Sequence, residues 1–297
     1  MRLNWDALDG FLEKMYRRSR SEHSKRFYAN GIKSFRSFCE EKNVRSISSK
    51  NPYTVLDSYV AWLDKKDMKP KTITDYVSAV RKFLSYLDVE IEPSKFKAKV
   101  TMPRVTKIAD EPLKVEDVRT ILSKGRPSPK TRALILLLLS SGMRIGEALS
   151  LRVSDLELDS EPVKVKVRAE YSKARTARAA YMSYEAREAL RQLVRDAAKD
   201  RLVFDYSGGL WEREKVCVRT FRQVVERAGL GEKIENHRIH KIHFHSFRKF
   251  FFTKAADLLG EHIAHALCGH GFYMDTYYRK SEEERKQDYL KLMPLLT

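Results

Sequence analysis

Between His245 and Tyr278 the sequence places His-Ser-Phe-Arg-Lys at 245–249, Cys-Gly-His at 268–270 and Thr-Tyr-Tyr-Arg at 276–279. His245 and His270, Arg248 and the adjacent Tyr277 and Tyr278 thus fall within 34 residues. A helical fold can gather such groups around one anion. The arginine fork matches phosphate oxygens, histidines exchange protons near neutral pH, and a phenol is a nucleophile once nearby cations favour its anion. The pattern suits phosphate chemistry.

Further cations lie upstream. The apolar stretch Thr131 to Ser141 reads as a buried helix ended by Gly142, and Met-Arg-Ile-Gly-Glu follows at 143–147. Arg144 therefore sits at a turn where a new helix begins, beside N-terminal donors that can hold an anion. Val163, Val165 and Val167 alternate with Lys164, Lys166 and Arg168, the pattern of a half-buried strand with one basic face. A second short strand is expected around Ala179 to Met182, making a hairpin with Lys173 near a tip that is basic on both sides. His237, His240, His243 and His245 form a histidine-rich run, but their spacing does not put four ligands on one helical face and no paired cysteine or carboxylate accompanies them. We expect no metal and no other cofactor.

The elements that must position these groups read as mainly α, with a small antiparallel hairpin. Residues 1–90 are expected to form an N-terminal domain of about four helices. Tyr28, Ile32, Phe35 and Phe38 recur at helical steps, as do Val55, Tyr59, Trp62 and Leu63, and then Ile73, Val77, Val80, Phe83, Leu84 and Leu87. The polar face of the last helix carries Lys71, Arg81 and Lys82. Residues 91–111 lose periodicity, contain Pro93 and Pro103 and are basic, which predicts a linker. Residues 112–297 form the second domain, with helices expected near Leu113, at Tyr184 to Lys199 and at Glu214 to Ala228. An amphipathic helix at Glu282 to Leu292 can pack at home or dock on a neighbouring subunit, and docking is the expectation.

Composition narrows the partner. The 297 residues carry 58 Lys and Arg against 40 Asp and Glu, a net charge of +18 spread along the chain. That balance favours nucleic acid, because each neutralised phosphate releases condensed counterions. No apolar run reaches the roughly 18 residues of a membrane span, and aspartates interrupt the first ten residues, so a cytoplasmic protein is expected. Cys39, Cys217 and Cys268 are odd in number and widely spaced, as expected of reduced, buried thiols.

Taken together, Ser141-Gly-Met-Arg-Ile-Gly-Glu-Ala-Leu149, the hairpin residues 172–178, His245-Ser-Phe-Arg248, Cys268-Gly-His270 and the tyrosine pair resemble, in order, the catalytic domain of the tyrosine recombinases. These are the lambda-integrase-like site-specific DNA strand-exchange enzymes of phages and plasmids, here with an archaeal-type integrase expected. The N-terminal region resembles the family's SAM-like core-binding domain. The resemblance implies that Arg144 and Arg248 hold the scissile phosphate with help from His270, that Lys173 protonates the leaving 5′ oxygen, and that His245 assists proton transfer. It implies that Tyr278 attacks, without metal or ATP. Glu147 would orient an arginine or Lys249. Lys71, Arg81, Lys164, Lys166, Arg175 and Arg178 are expected to contact DNA.

Two departures stand out. The family's usual spacing puts the nucleophile nine residues after the histidine, where this chain has Arg279; Tyr278 lies eight after His270 and Tyr277 seven, so Tyr277, and after it Tyr273, remain alternatives. The usual Gly-Lys-Gly of the hairpin is Ser172-Lys173-Ala174. The family pattern implies a homotetramer on two duplexes, with the two domains clamping double-stranded DNA and accessory proteins available to bias direction. A catalytically silent DNA-binding protein on the same scaffold and a type IB-like topoisomerase are the competing expectations.

Overall fold

The computed structural model describes residues 4–47, 51–106, 111–171, 176–234, 240–269 and 280–296. The chain divides into two compact units, Met1–Ile108 and Ala109–Thr297.

The first unit is built from α1 (Leu8–Ser19), α2 (Glu22–Glu41), α3 (Pro52–Lys65), α4 (Pro70–Tyr86) and α5 (Pro93–Lys99). Proline opens α3, α4 and α5, where its missing N–H costs nothing. Ser21 caps α2 by accepting from the Ser24 amide at 3.3 Å. Phe35, Phe38, Tyr59, Leu56, Ile73, Val77 and Val80 are buried in one core, with Phe11, Ile32 and Phe83 in a second cluster. Rings at 5.0–5.9 Å link Phe35, Phe38, Tyr59 and Trp62.

Helix α5 corrects the reading of residues 91–111 as a linker. Phe96 and Val100, four residues apart, are buried in the first unit's core. The Thr101 amide donates to Asp57 Oδ1 at 2.8 Å. A helix of seven residues presents two apolar positions, too few for periodicity to be seen.

The second unit contains α6 (Val115–Ser123), α7 (Pro129–Ser141), α8 (Ile145–Ala148), β1 (Leu156–Glu157), β2 (Lys164–Val167), β3 (Arg178–Tyr181), α9 (Tyr184–Val194), α10 (Leu210–Arg227), α11 (Phe244–Leu259), α12 (Glu261–Cys268) and α13 (Glu282–Leu292). Ala133 through Leu139 are all buried, so α7 is apolar on every side and forms the axis against which α9 and α11 pack. Each buried leucine there stabilises the unit by about 1.5–3 kcal/mol. The strands make an antiparallel sheet in the order β1-β2-β3, with Val165 opposite Ala180 and Val167 opposite Arg178. Val165 and Val167 are buried, as their alternation predicted.

Helix α13 packs at home, against the expectation that it docks on a neighbour. Tyr289 and Leu292 are buried in this unit's own core. The Tyr289 hydroxyl donates to the Ser140 carbonyl at 2.9 Å, and its ring lies 5.3 Å from that of Tyr181. Lys164 Nζ meets Glu282 at 3.1 Å and Glu157 at 3.0 Å, while Lys280 reaches Asp288 at 2.6 Å. Among the described residues no helix is long and apolar enough to cross a membrane. Cys39, Cys217 and Cys268 are buried and unbridged.

Candidate active site

Helix α7 ends at Gly142, whose φ of +60° is left-handed and where a Cβ would lie 2.4 Å from Cδ1 of Phe251. Both demands require glycine. The chain turns through buried Met143 and sets Arg144 as the N-cap of α8. The Arg144 amide donates to Glu147 Oε2 at 2.9 Å and its Nη1 to Oε1 at 3.3 Å. With that amide already taken and α8 only four residues long, the guanidinium is the group at this turn that could meet an anion. The Arg144 side chain is 28% exposed, whereas that of Glu147 is 1% exposed.

Arg248 lies in α11 and is almost fully buried. Its Nη1 donates to the carbonyl of Gly142 at 2.5 Å and its Nη2 to that of Cys268 at 2.8 Å. One planar fork thereby joins the corner carrying Arg144 to the end of α12, from which the chain runs through Gly269 to His270. Burial lowers the Arg248 pKa to about 10, with the charges of Arg144 and Arg178 acting in the same sense and Cys268 and Glu147 opposing. It stays a cation at neutral pH. Burial also pushes the Cys268 thiol up to about 11, so it is protonated there.

His245 stands one turn before Arg248 and Lys249 on α11. Its pKa is lowered first by burial, then by the charges of Lys249, His243, Arg248 and Arg144. A neutral imidazole facing several cations can accept a proton. His245, Arg248 and Arg144 are thus close enough to act on one another's charge.

Arg178, expected to contact DNA, is largely buried and paired with a carboxylate. Its side chain is 9% exposed and Nη2 donates to Glu147 Oε2 at 2.8 Å. The strand register explains the burial: Arg178 pairs with Val167 and shares a face with Ala180, opposite Val165. Carrying the valine alternation across the hairpin would have found it. Glu147 thus meets two arginines, Arg144 and Arg178.

The other expected DNA contacts are dispersed. Lys166 is exposed on β2, but Lys164 is engaged by Glu157 and Glu282, which raise its pKa. Lys71 pairs with Asp75 at 2.5 Å on the exposed face of α4. The Arg81 guanidinium lies 4.1 Å from the centroid of the Phe96 ring. Lys173, Arg175, His270, Tyr273, Tyr277 and Tyr278 lie outside the described residues, as does His237. Among the described residues no group of three His, Cys, Asp or Glu side chains could hold a metal ion. The acceptors of Arg248 were missed in sequence because they are backbone carbonyls.

Two family models match this chain. "Phage integrase family" matches residues 111–270, and "Phage integrase, N-terminal SAM-like domain" matches residues 8–90. Tyrosine recombinase XerC of Thermodesulfovibrio yellowstonii is 25% identical over 278 residues, 86% of this chain and 84% of the relative. Tyrosine recombinase XerA of Saccharolobus solfataricus is 27% identical over 143 residues, 48% of this chain and 45% of the relative. The chain spans about half the length of the relatives it matches over such shorter stretches. A solved structure of lambda integrase residues 75–356, a dimer bound to a core site, shares the fold with a TM-score of 0.67 at 16% identity, covering 95% of this chain and 99% of that one.

Proposed function

Because the chain belongs to the phage integrase family, we propose that it is a site-specific DNA recombinase that cuts and rejoins double-stranded DNA through a 3′-phosphotyrosyl intermediate. What supports the reading is one relationship: the buried fork of Arg248 joins the corner that carries Arg144 to the carbonyl of Cys268, two residues before His270 in the chain. Two arginines held on rigid elements can take the nonbridging oxygens of one phosphate and match the charge that grows in the transition state. His270 adds a third donor.

In the reaction the Tyr278 oxygen attacks phosphorus as the bond to the 5′ oxygen breaks. The phenolic proton passes to His245, whose lowered pKa keeps it neutral and able to accept. Lys173 protonates the departing 5′ oxygen. The phosphodiester count is conserved, so a 5′ hydroxyl of a second duplex reverses the step and religation needs no ATP. The residues supply positioning, charge and proton transfer without a metal.

Solved relatives support the assembly we propose: one structure is of a lambda integrase tetramer bound to a Holliday junction. The chain accordingly acts as a homotetramer on two duplexes in the cytoplasm, with Lys71, Lys166 and Arg175 toward the phosphate backbone. The test is a nicked suicide duplex carrying the recombination site. A covalent protein–DNA adduct is expected; its absence under conditions where the DNA is bound would overturn the assignment.

A further inference from the structure

Glu147 is buried, and its two oxygens serve three donors: the Arg144 amide and Arg178 Nη2 on Oε2, and Arg144 Nη1 on Oε1. Taken alone, Arg144 and Glu147 would form a neutral pair, and the carboxylate would cancel the charge that a phosphate needs. Adding Arg178 leaves the trio with a net positive charge.

Arg178 is an expensive way to fill its space. Nε and Nη1 are buried without a hydrogen-bond partner among the described residues. A buried guanidinium with unmet donors destabilises a fold relative to an apolar side chain of similar size. The guanidinium also lies close against the backbone at the end of α12. A Cβ on Gly269 would sit 2.1 Å from its Nε and 2.4 Å from its Cδ. Glycine is doubly required there, since φ is +67°.

We propose that Arg178 is a positioning residue of the cleavage reaction: it neutralises Glu147 so that Arg144 keeps its charge for the scissile phosphate, and it braces the strand leaving residues 172–175 against Gly269. The inference rests on the recombinase reading above. Its consequence is that Arg178 acts on the chemical step and makes no contact with DNA.

The experiment compares wild type, Arg178→Met, Arg178→Lys, Glu147→Gln and the double variant Arg178→Met/Glu147→Gln. Readouts are single-turnover cleavage of a suicide duplex and DNA affinity across a salt series. Arg178→Met is expected to slow cleavage by ~100-fold, the scale of removing one transition-state contact. Its dissociation constant should stay within about threefold of wild type and the salt slope should not change, because no phosphate contact is lost. The double variant removes the carboxylate charge with the arginine, leaves Arg144 uncompensated, and should regain cleavage to within ~10-fold of wild type.

A salt slope shallower by about one, with weaker binding, marks Arg178 as a phosphate contact and overturns the proposal. So does a double variant no faster than Arg178→Met when both melt like wild type, since a packing role would not answer to the charge on Glu147. If Arg178→Met does not fold, Arg178→Lys, which keeps the charge and loses the fork, carries the comparison with and without Glu147→Gln. Because the ammonium still neutralises Glu147, Arg178→Lys should cleave within ~10-fold of wild type and Glu147→Gln should change the two by the same factor; a folded Arg178→Lys slowed by ~100-fold is again fatal. Wild type that forms no adduct at all defeats the recombinase reading, whereas wild type and Arg178→Met cleaving equally fast defeats only this inference.

Discussion

The Nη1 group of Arg248 donates to the carbonyl oxygen of Gly142, 106 residues earlier in the chain, at 2.5 Å. The same guanidinium reaches Cys268 from Nη2. An arginine that could be read as a simple phosphate ligand is thus also a structural tie between the end of α7 and the end of α12.

Arg248→Lys should expose that double role. A lysine ammonium cannot span both carbonyls in one plane, so at least one buried acceptor loses its partner, at a cost of about 1–3 kcal/mol. Urea unfolding should show a lower midpoint with an unchanged slope. Cleavage should fall by at least ~100-fold, since the fork on the phosphate is lost as well. Full stability together with full cleavage would remove Arg248 from both roles.

Tyr278→Phe should abolish the covalent adduct while leaving DNA affinity unchanged, because only the nucleophilic oxygen is deleted. Tyr277→Phe should cleave within a few-fold of wild type. The reverse pattern shifts the nucleophile by one residue and makes the connection from His270 shorter still. Peptide mapping of the trapped adduct decides between them, and cleavage should survive EDTA.

The pH profile reports on His245. Its pKa is depressed, chiefly by burial and then by Lys249, so the imidazole stays neutral as pH falls through the ordinary histidine value of about 6.5. If His245 accepts the tyrosine proton, the acid limb of single-turnover cleavage lies below that value. Lys249→Gln removes one cause of the depression and should move the limb upward, toward the ordinary value. Stability carries the same sign: the unfolded chain takes up the proton first, so folding is favoured most above about 6.5 and less as pH falls through it. An acid limb that does not respond to Lys249→Gln would assign it to another group.

What was legible in the sequence was whatever repeats locally. Helices α2, α3 and α4 of the first unit, the apolar α7 with its glycine stop, and the Val163–Val167 alternation each declare themselves within one window of residues. What was hidden depends on distant partners. Phe96 and Val100 look like linker residues until the core that receives them is present. An amphipathic α13 has the same pattern whether it packs on Ser140 of its own unit or on another subunit. Arg178 looked like a DNA contact because basic residues at a hairpin usually face solvent, and only the register against Val167 turns it inward. The site divides likewise: motif order named Arg144, His245, Arg248 and Glu147 as an orienting carboxylate, while the backbone carbonyls that hold Arg248 appear only in three dimensions.

Gly142→Ala is a test of the corner itself. The left-handed backbone disfavours any Cβ by about 1–2 kcal/mol, and contact with the Phe251 ring adds an overpacking cost of about 1–3 kcal/mol. A loss of about 2–5 kcal/mol in urea unfolding is expected. Because the displaced carbonyl is an acceptor of Arg248, surviving folded protein should also cleave slowly. Wild-type stability would mean that the ring and the corner can both relax, and that Arg144 does not depend on this geometry.

Lys173→Ala should slow cleavage of an ordinary phosphodiester by roughly 100-fold or more, the scale of losing a general acid. A duplex with sulfur in place of the bridging 5′ oxygen provides the control. A thiolate leaves without protonation, its conjugate acid being far stronger than an alcohol, so the variant should cut the sulfur substrate at close to the wild-type rate. The comparison separates proton donation from phosphate binding, because a lost electrostatic contact would slow both substrates equally. Arg175 cannot substitute as the acid, since a guanidinium hardly releases its proton. Equal slowing on both duplexes would therefore recast Lys173 as a phosphate contact and leave the leaving-group proton to be supplied from elsewhere in the site.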